Sequence, residues 1–155
     1  MRQLASVVFA LLCVLCCIAS CLAVTFTDCG STLGGFTEVS VSECHPSDVK
    51  CTLVRGFNAS ISIKFTPNQD IEHVNVLVYG ILFGVPVPFP FDKPDVCQDP
   101  NDGIKCPLKK NQEYQYTTSL FVQKTYPAVN VNIKWEFVNE NKEKIICVEF
   151  PAKLK

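Results

Sequence analysis

Histidine, surplus charge and the common catalytic signatures are what this chain lacks. Only two histidines occur, His45 and His73, far apart in sequence. No G-x-S-x-G elbow, H-E-x-x-H pair or phosphate-cradling glycine loop stands after residue 23. His73, near the start of a strand, has no partner at a motif spacing and reads as a surface or satisfied residue. The chain therefore reads as a non-enzyme, with no catalytic residue and no cofactor. Fourteen basic residues face 15 acidic ones, so no basic surface exists for nucleic acid. Zinc is disfavoured because no C-x-x-C pair lies beyond the first 23 residues. The densest acidic group, Asp92, Asp95, Asp99 and Asp102, matches no calcium-loop spacing and reads as a solvated loop, so no metal site is assigned. A helical period is also missing past residue 23, as are repeats.

What is present begins with a leader. Met1-Arg2-Gln3 is basic, Leu4 to Ile18 is almost wholly apolar, and Cys21-Leu22-Ala23 precedes a suitable cut. Residues 1–23 read as a secretory signal peptide. Two other readings are an anchor, since the uncharged run reaches Thr27, and a lipoprotein box at Ile18-Ala19-Ser20-Cys21. The short apolar core and the lack of a basic stop-transfer cluster favour cleavage. Residues 24–155 then form one domain with a net charge of -2, long enough to bury a sizeable core.

Ten cysteines fall to six without the leader, and an even number in a secreted chain implies three disulfides. Of the fifteen pairings open to six cysteines, spacing favours Cys44 with Cys51 and Cys97 with Cys106, each closing a short polar loop. Cys29 and Cys147 are left to tie the two ends, a closure on the order of 4 to 5 kcal/mol in the chain-entropy model.

The rest of the chain alternates apolar and polar residues with period 2. Rows run through Thr37, Val39, Val41; Ala59, Ile61, Ile63, Phe65; Val74, Val76, Val78; and Tyr114, Tyr116, Thr118, Leu120, Val122. Two more run through Val129, Val131, Ile133, Trp135, Phe137 and Ile146, Val148, Phe150. Cys51 to Val54 reads as a brief strand and Gly34-Gly35 as a turn. Leu77 and Tyr79 predict that their strand is covered on both faces, and Asp92 to Lys109 reads as an irregular polar loop. About seven strands without helices predict an all-β antiparallel sandwich in two sheets. Asn58-Ala59-Ser60 is an N-glycosylation triplet, with Asn58 the acceptor.

One stretch stands apart: Val85-Pro86-Val87-Pro88-Phe89-Pro90-Phe91. In an extended chain Val85, Val87, Phe89 and Phe91 share one face, and the three prolines strip N–H donors from one lateral edge. No strand can pair fully along that edge, so a sheet ends here, either as a protected edge or as the rim of a ligand entry. Eleven phenylalanines, four tyrosines and one tryptophan fit a solid core equally with a cavity between splayed sheets.

Asp28-Cys29-Gly30-Ser31, the Cys44 to Cys51 loop, Gly80-Ile81-Leu82-Phe83-Gly84 running into the proline stretch, Cys106-Pro107-Leu108, and Tyr126-Pro127 before the Trp135 strand resemble the ML lipid-recognition domain family. The resemblance spans essentially all of 24–155. It implies an immunoglobulin-like sandwich holding lipid between its sheets, the three disulfides above, and a sterol-pocket entrance framed by Phe89, Val122 and Tyr126. Val87 and Trp135 match further pocket positions. Phe83 and Val85 match the apolar surface that presents ligand to a membrane or a membrane sterol transporter. Two positions depart from the family's sterol carriers: Val148 stands where they commonly carry tryptophan, and Tyr79 where they carry histidine, which predicts a reshaped pocket. The implied protein is a monomeric carrier, secreted or lysosomal, of a sterol-like molecule. The alternatives are a carrier of fatty acids, chemical signals or microbial lipids, and a recognition module without a pocket.

Overall fold

In the computed structural model, which describes residues 23–99 and 101–155, two β-sheets pack face to face. Among the described residues the strands are β1 (Thr27–Asp28), β2 (Gly34–Val41), β3 (Cys51–Leu53), β4 (Asn58–Pro67), β5 (Asn75–Leu82), β6 (Val85–Phe89), β7 (Tyr114–Phe121), β8 (Asn130–Val138) and β9 (Lys144–Leu154). The larger sheet has the order β1-β9-β8-β5-β6 with β3 added against β9, and the smaller is β2-β4-β7. The leader lies, but for Ala23, outside the described residues.

The period-2 rows become the inner faces, because a pleated strand sends alternate side chains to opposite sides. β4 is the clearest case: Ala59, Ile61, Ile63 and Phe65 are buried while Ser60, Ser62 and Lys64 are not. β6 ends its sheet, as the prolines require. Its Val85, Val87 and Phe89 stand opposite Leu82, Gly80 and Val78, and Pro86 and Pro88 opposite Ile81 and Tyr79. Only the first set carries amide hydrogens, so the ladder draws its β6 donors from them and the free edge holds the proline nitrogens.

Four expectations change. Gly34 and Gly35 open β2 instead of turning: a Cβ on Gly34 would sit 2.7 Å from the Thr66 carbonyl oxygen, so glycine serves close strand approach. β3 pairs β9 in parallel, Cys51 against Ala152, because the disulfide-closed loop before it carries the chain from the small sheet to the large one. β5 is covered closely on one face only: on the other, Leu77 is 37 % exposed and the Lys134 ammonium lies 5.3 Å from the Tyr79 ring centre.

The fourth is the stretch from Asp92 to Lys109, which is packed and not merely solvated. It buries Val96, Ile104 and Leu108 and bridges to the body at Ile71 with Leu108 and Asn75 with Asp95. Asp102 is buried with it, at 3 % exposure, accepting the Ile104 N–H at 2.8 Å. Burial pushes its carboxyl up to about 6, the Ile104 bond opposes that, and the Asp99 charge adds to it. Asp99 itself is held below the ordinary range, first by the Lys93 ammonium at 2.9 Å and then by the Asn101 N–H.

Three disulfides join Cys29 to Cys147, Cys44 to Cys51 and Cys97 to Cys106. Near the first, Glu136 is buried on the outer side of the large sheet. Burial drives its carboxyl upward, and the ammonium groups of Lys134 and Lys144, 2.7 and 3.0 Å away, more than reverse this.

A hollow end and its apolar doorway

The inward rows change side-chain size along their length, and the register lines the sizes up. The inward row of β4 goes from Ala59 to Phe65 and that of β7 from Tyr114 to Leu120, and antiparallel pairing sets Phe65 opposite Tyr114 and Ala59 opposite Leu120. On the facing sheet, Phe137 pairs with Val76 and Ile133 with Gly80. One end of the sandwich is thus filled by rings. Phe137 meets Tyr116 at 4.9 Å and Phe65 at 5.1 Å between centroids, both edge to face, and Phe65 meets Tyr114 at 5.9 Å. Such pairs add about 0.5–1.5 kcal/mol each beyond burial. The Tyr116 hydroxyl, desolvated there, resists ionisation throughout the working pH range.

The other end, lined by Ala59, Ile61, Gly80, Leu120, Val131 and their neighbours, has too little side-chain volume to close. It encloses an almost wholly apolar cavity of about 160 Å³. The cavity is smaller than the ~300–1,000 Å³ of small-molecule sites, so a bulky guest must part the walls. A polar depression of about 420 Å³ lies over the acidic stretch Asp92 to Asn101 and has no comparable apolar lining.

Of the residues singled out above, Phe89, Val122, Tyr126, Val87 and Trp135 line the cavity. Phe89 from β6 and Tyr126 from the β7–β8 connection meet at the mouth with ring centres 5.2 Å apart. Burial, and then the Asp92 charge, push the Tyr126 hydroxyl up, so it stays protonated. Trp135 is anchored by Phe91 at 5.6 Å, edge to face. Its indole N–H is buried without a hydrogen-bond partner, at a cost of about 1–3 kcal/mol.

The remaining residues fall elsewhere. Val148 is fully buried but absent from the cavity lining, since its row passes from the packed Ile146 end to the hollow Phe150 and Leu154 end. Tyr79 points to the opposite face of β5 from cavity-lining Val78 and Gly80, so neither departure borders the cavity. Phe83 and Val85 lie outside it: Phe83 is 103 % exposed and Val85 60 %. Val87 touches the cavity yet is 46 % exposed, because β6 overhangs a partner sheet of only three strands. Phe83, at φ 51°, and Gly84, at φ 81°, form the tip of the β5–β6 hairpin. A bulky side chain with positive φ is strained, and here the strain sets a phenyl ring in solvent. Asn58 is exposed on the outer face of the small sheet, opposite Phe121. Among the described residues no three His, Cys, Asp or Glu side chains converge as a metal site.

Leu53, Val129 and Leu154 also line the cavity without having been singled out for it, and Pro88 and Pro90, read from sequence only as edge residues, border it too. The signal for a hollow end was the size gradient along paired rows.

A two-sheet sandwich with an internal apolar cavity and a doorway beside an edge strand defines the class of folds that enclose hydrophobic small molecules. The chain belongs to the ML domain family, whose model matches residues 23–154. It is 41 % identical over 133 residues to the NPC intracellular cholesterol transporter 2 homolog a of Drosophila melanogaster, covering 86 % of this chain and 88 % of that protein. It is 37 % identical over 139 residues to NPC intracellular cholesterol transporter 2 of Bos taurus, covering 88 % and 90 %. The crystal structure of a Niemann-Pick type C2 protein from the Japanese carpenter ant superposes with a TM-score of 0.82 at 49 % identity, over 84 % of this chain and 99 % of that one.

Proposed function

We propose that this protein is a carrier that takes one sterol-like molecule into the hollow end of its sandwich, shields it from water and hands it to a membrane or a membrane-bound acceptor. The observation that carries this reading is the almost wholly apolar cavity with a two-ring mouth. The names of its sterol-transporting relatives support the cargo class. Binding is driven by apolar burial, at roughly 25 cal/mol per Å² removed from water. Phe89, Val122 and Tyr126 frame the entrance, and Val87 and Trp135 contact the cargo. The exposed Phe83-Val85 tip, with Lys50 beside Phe83, suits insertion into an anionic lipid surface.

The carrier works as a monomer outside the cytosol, secreted or in the lysosome, after loss of residues 1–23. It needs no cofactor, performs no catalysis and bears sugar at Asn58. The small resting volume of the cavity favours a second cargo, a slender acyl chain, which enters with less parting of the walls. Mass spectrometry of lipids extracted from the natively purified protein decides between them. A sterol at near one per protein supports the first reading, a fatty acid the second, and the absence of any stoichiometric lipid argues against both.

A further inference from the structure

The two rings at the mouth are held by very different means. Phe89 is fixed by the β5–β6 ladder. Tyr126 sits in the connection from β7 to β8, which no strand supports. That connection is pinned to the body by backbone bonds at its two ends: Gly56 N–H donates to Val122 O at 2.6 Å, Val122 N–H to Phe57 O at 3.0 Å, and Leu154 N–H to Val129 O at 2.9 Å. Between these anchors lies a local turn, Tyr126 N–H to Gln123 O at 3.2 Å. The bond that ties the middle to the body comes from a side chain: Arg55 Nη1 donates to Tyr126 O at 2.8 Å. Arg55 is itself fixed, its N–H donating to Lys155 O at 2.9 Å while Lys155 N–H donates to Leu53 O at 3.0 Å.

The geometry points to Arg55 as the positioning residue of the doorway, a latch that holds Tyr126 against Phe89 and sets the rate at which cargo enters and leaves. This inference rests on the carrier reading above and extends it to kinetics. The latch is built to release. The Arg55 Nε is buried with no hydrogen-bond partner, and among the described residues no carboxylate lies within ion-pair distance of the guanidinium. Closing the doorway therefore gains one charge-assisted bond and leaves another donor of the same cation unmet. Opening loses the bond and lets water reach the unmet N–H. Water offsets part of that loss only once the doorway is open, so the bond raises the barrier to opening while the two positions stay close enough in energy to exchange. Gln123, Lys124, Thr125, Pro127 and Ala128 are exposed, so little apolar packing resists the movement.

The test is stopped-flow uptake and release of dehydroergosterol by the wild type, Arg55→Met and Arg55→Lys. Methionine keeps an apolar stem and removes the donor. Lysine restores a cationic donor of similar reach. Arg55→Met is expected to release and to take up the sterol about tenfold faster, the factor for one charge-assisted bond. Its Kd should stay within about threefold, because the same bond closes the empty and the filled protein, and Arg55→Lys should bring both rates back toward the wild type. Unchanged rates in Arg55→Met overturn the latch, as does a weaker Kd with unchanged association, the mark of a merely structural role. If the wild type itself binds no sterol, the carrier reading fails, and the latch is judged separately by amide hydrogen exchange in residues 123–129 of the empty protein. Faster exchange in Arg55→Met than in the wild type supports it, and equal exchange overturns it.

Discussion

The two ends of the sandwich are made by the same strands and differ in what fills them. At one end Phe137 meets Phe65 and Tyr116 edge to face, Tyr114 stacks at a tilt on Phe65, and the four rings fill the space. At the other, Ala59, Gly80, Val131 and Leu120 line the same two sheets and leave a cavity of about 160 Å³. The difference teaches that one core can serve two ends: the ring-filled half supplies the stability that lets the other half stay underpacked. A β-sandwich needs no separate domain for a binding site when its inward rows are graded in size and paired large to large.

The largest expected effect comes from attacking the filled end. Phe137→Ala should cost about 3–5 kcal/mol in urea unfolding, while Leu120→Ala at the hollow end should cost about 2 kcal/mol, the low limit for such truncations, because that side chain already borders empty space. Equal losses would erase the distinction between the ends. Next, Ala59→Leu places extra carbon in the cavity. It should leave stability equal or raised by up to about 1 kcal/mol and weaken sterol binding at least about tenfold, read by titration. A destabilised variant that still binds would mean that the space is not where the cargo goes.

A smaller effect follows from acidity. Asp102 has a folded-state pKa near 6 against 3.8 for its ordinary value, so the folded protein binds a proton there more readily than the unfolded chain does. Its charge opposes folding above pH 6, and that opposition fades as the pH falls from about 6 toward 3.8. Asp28, Asp70, Asp99 and Glu136 are shifted downward. Their contributions persist between pH 7 and 5 and are lost only as the pH falls through and below their ordinary pKa values. The melting temperature of the wild type should therefore rise relative to that of Asp102→Asn between pH 7 and 5, and a constant offset would contradict the assignment. The smallest effect is Tyr79→His, which restores the family's usual residue on the outward face of β5. It should change sterol affinity less than about twofold, since the ring is across the sheet from the cavity.

The period-2 rows gave away the strands, because burial on one face imposes alternation, and the absent proline donors gave away the edge. The pairing of Cys44 with Cys51 and Cys97 with Cys106 was readable from loop length. What stayed hidden depends on register, which no single strand displays. Ala59 and Leu120 look like ordinary core residues until antiparallel pairing sets them together, and Gly80 gives no sign of a cavity wall until Ile133 stands opposite it. Val148 was taken with its row, although that row crosses from the packed end into the hollow one. Arg55 carried no signal, since its bond reaches a carbonyl 71 positions away.

The chain's single tryptophan, Trp135, lies in the cavity wall, which makes one titration the most direct check on the whole account. Adding dehydroergosterol should produce saturable, one-to-one energy transfer from the indole, present in the wild type and largely lost in Ala59→Leu. Sterol binding that leaves Trp135 emission untouched, or that survives Ala59→Leu at full strength, would contradict the claim that the hollow end is the binding site.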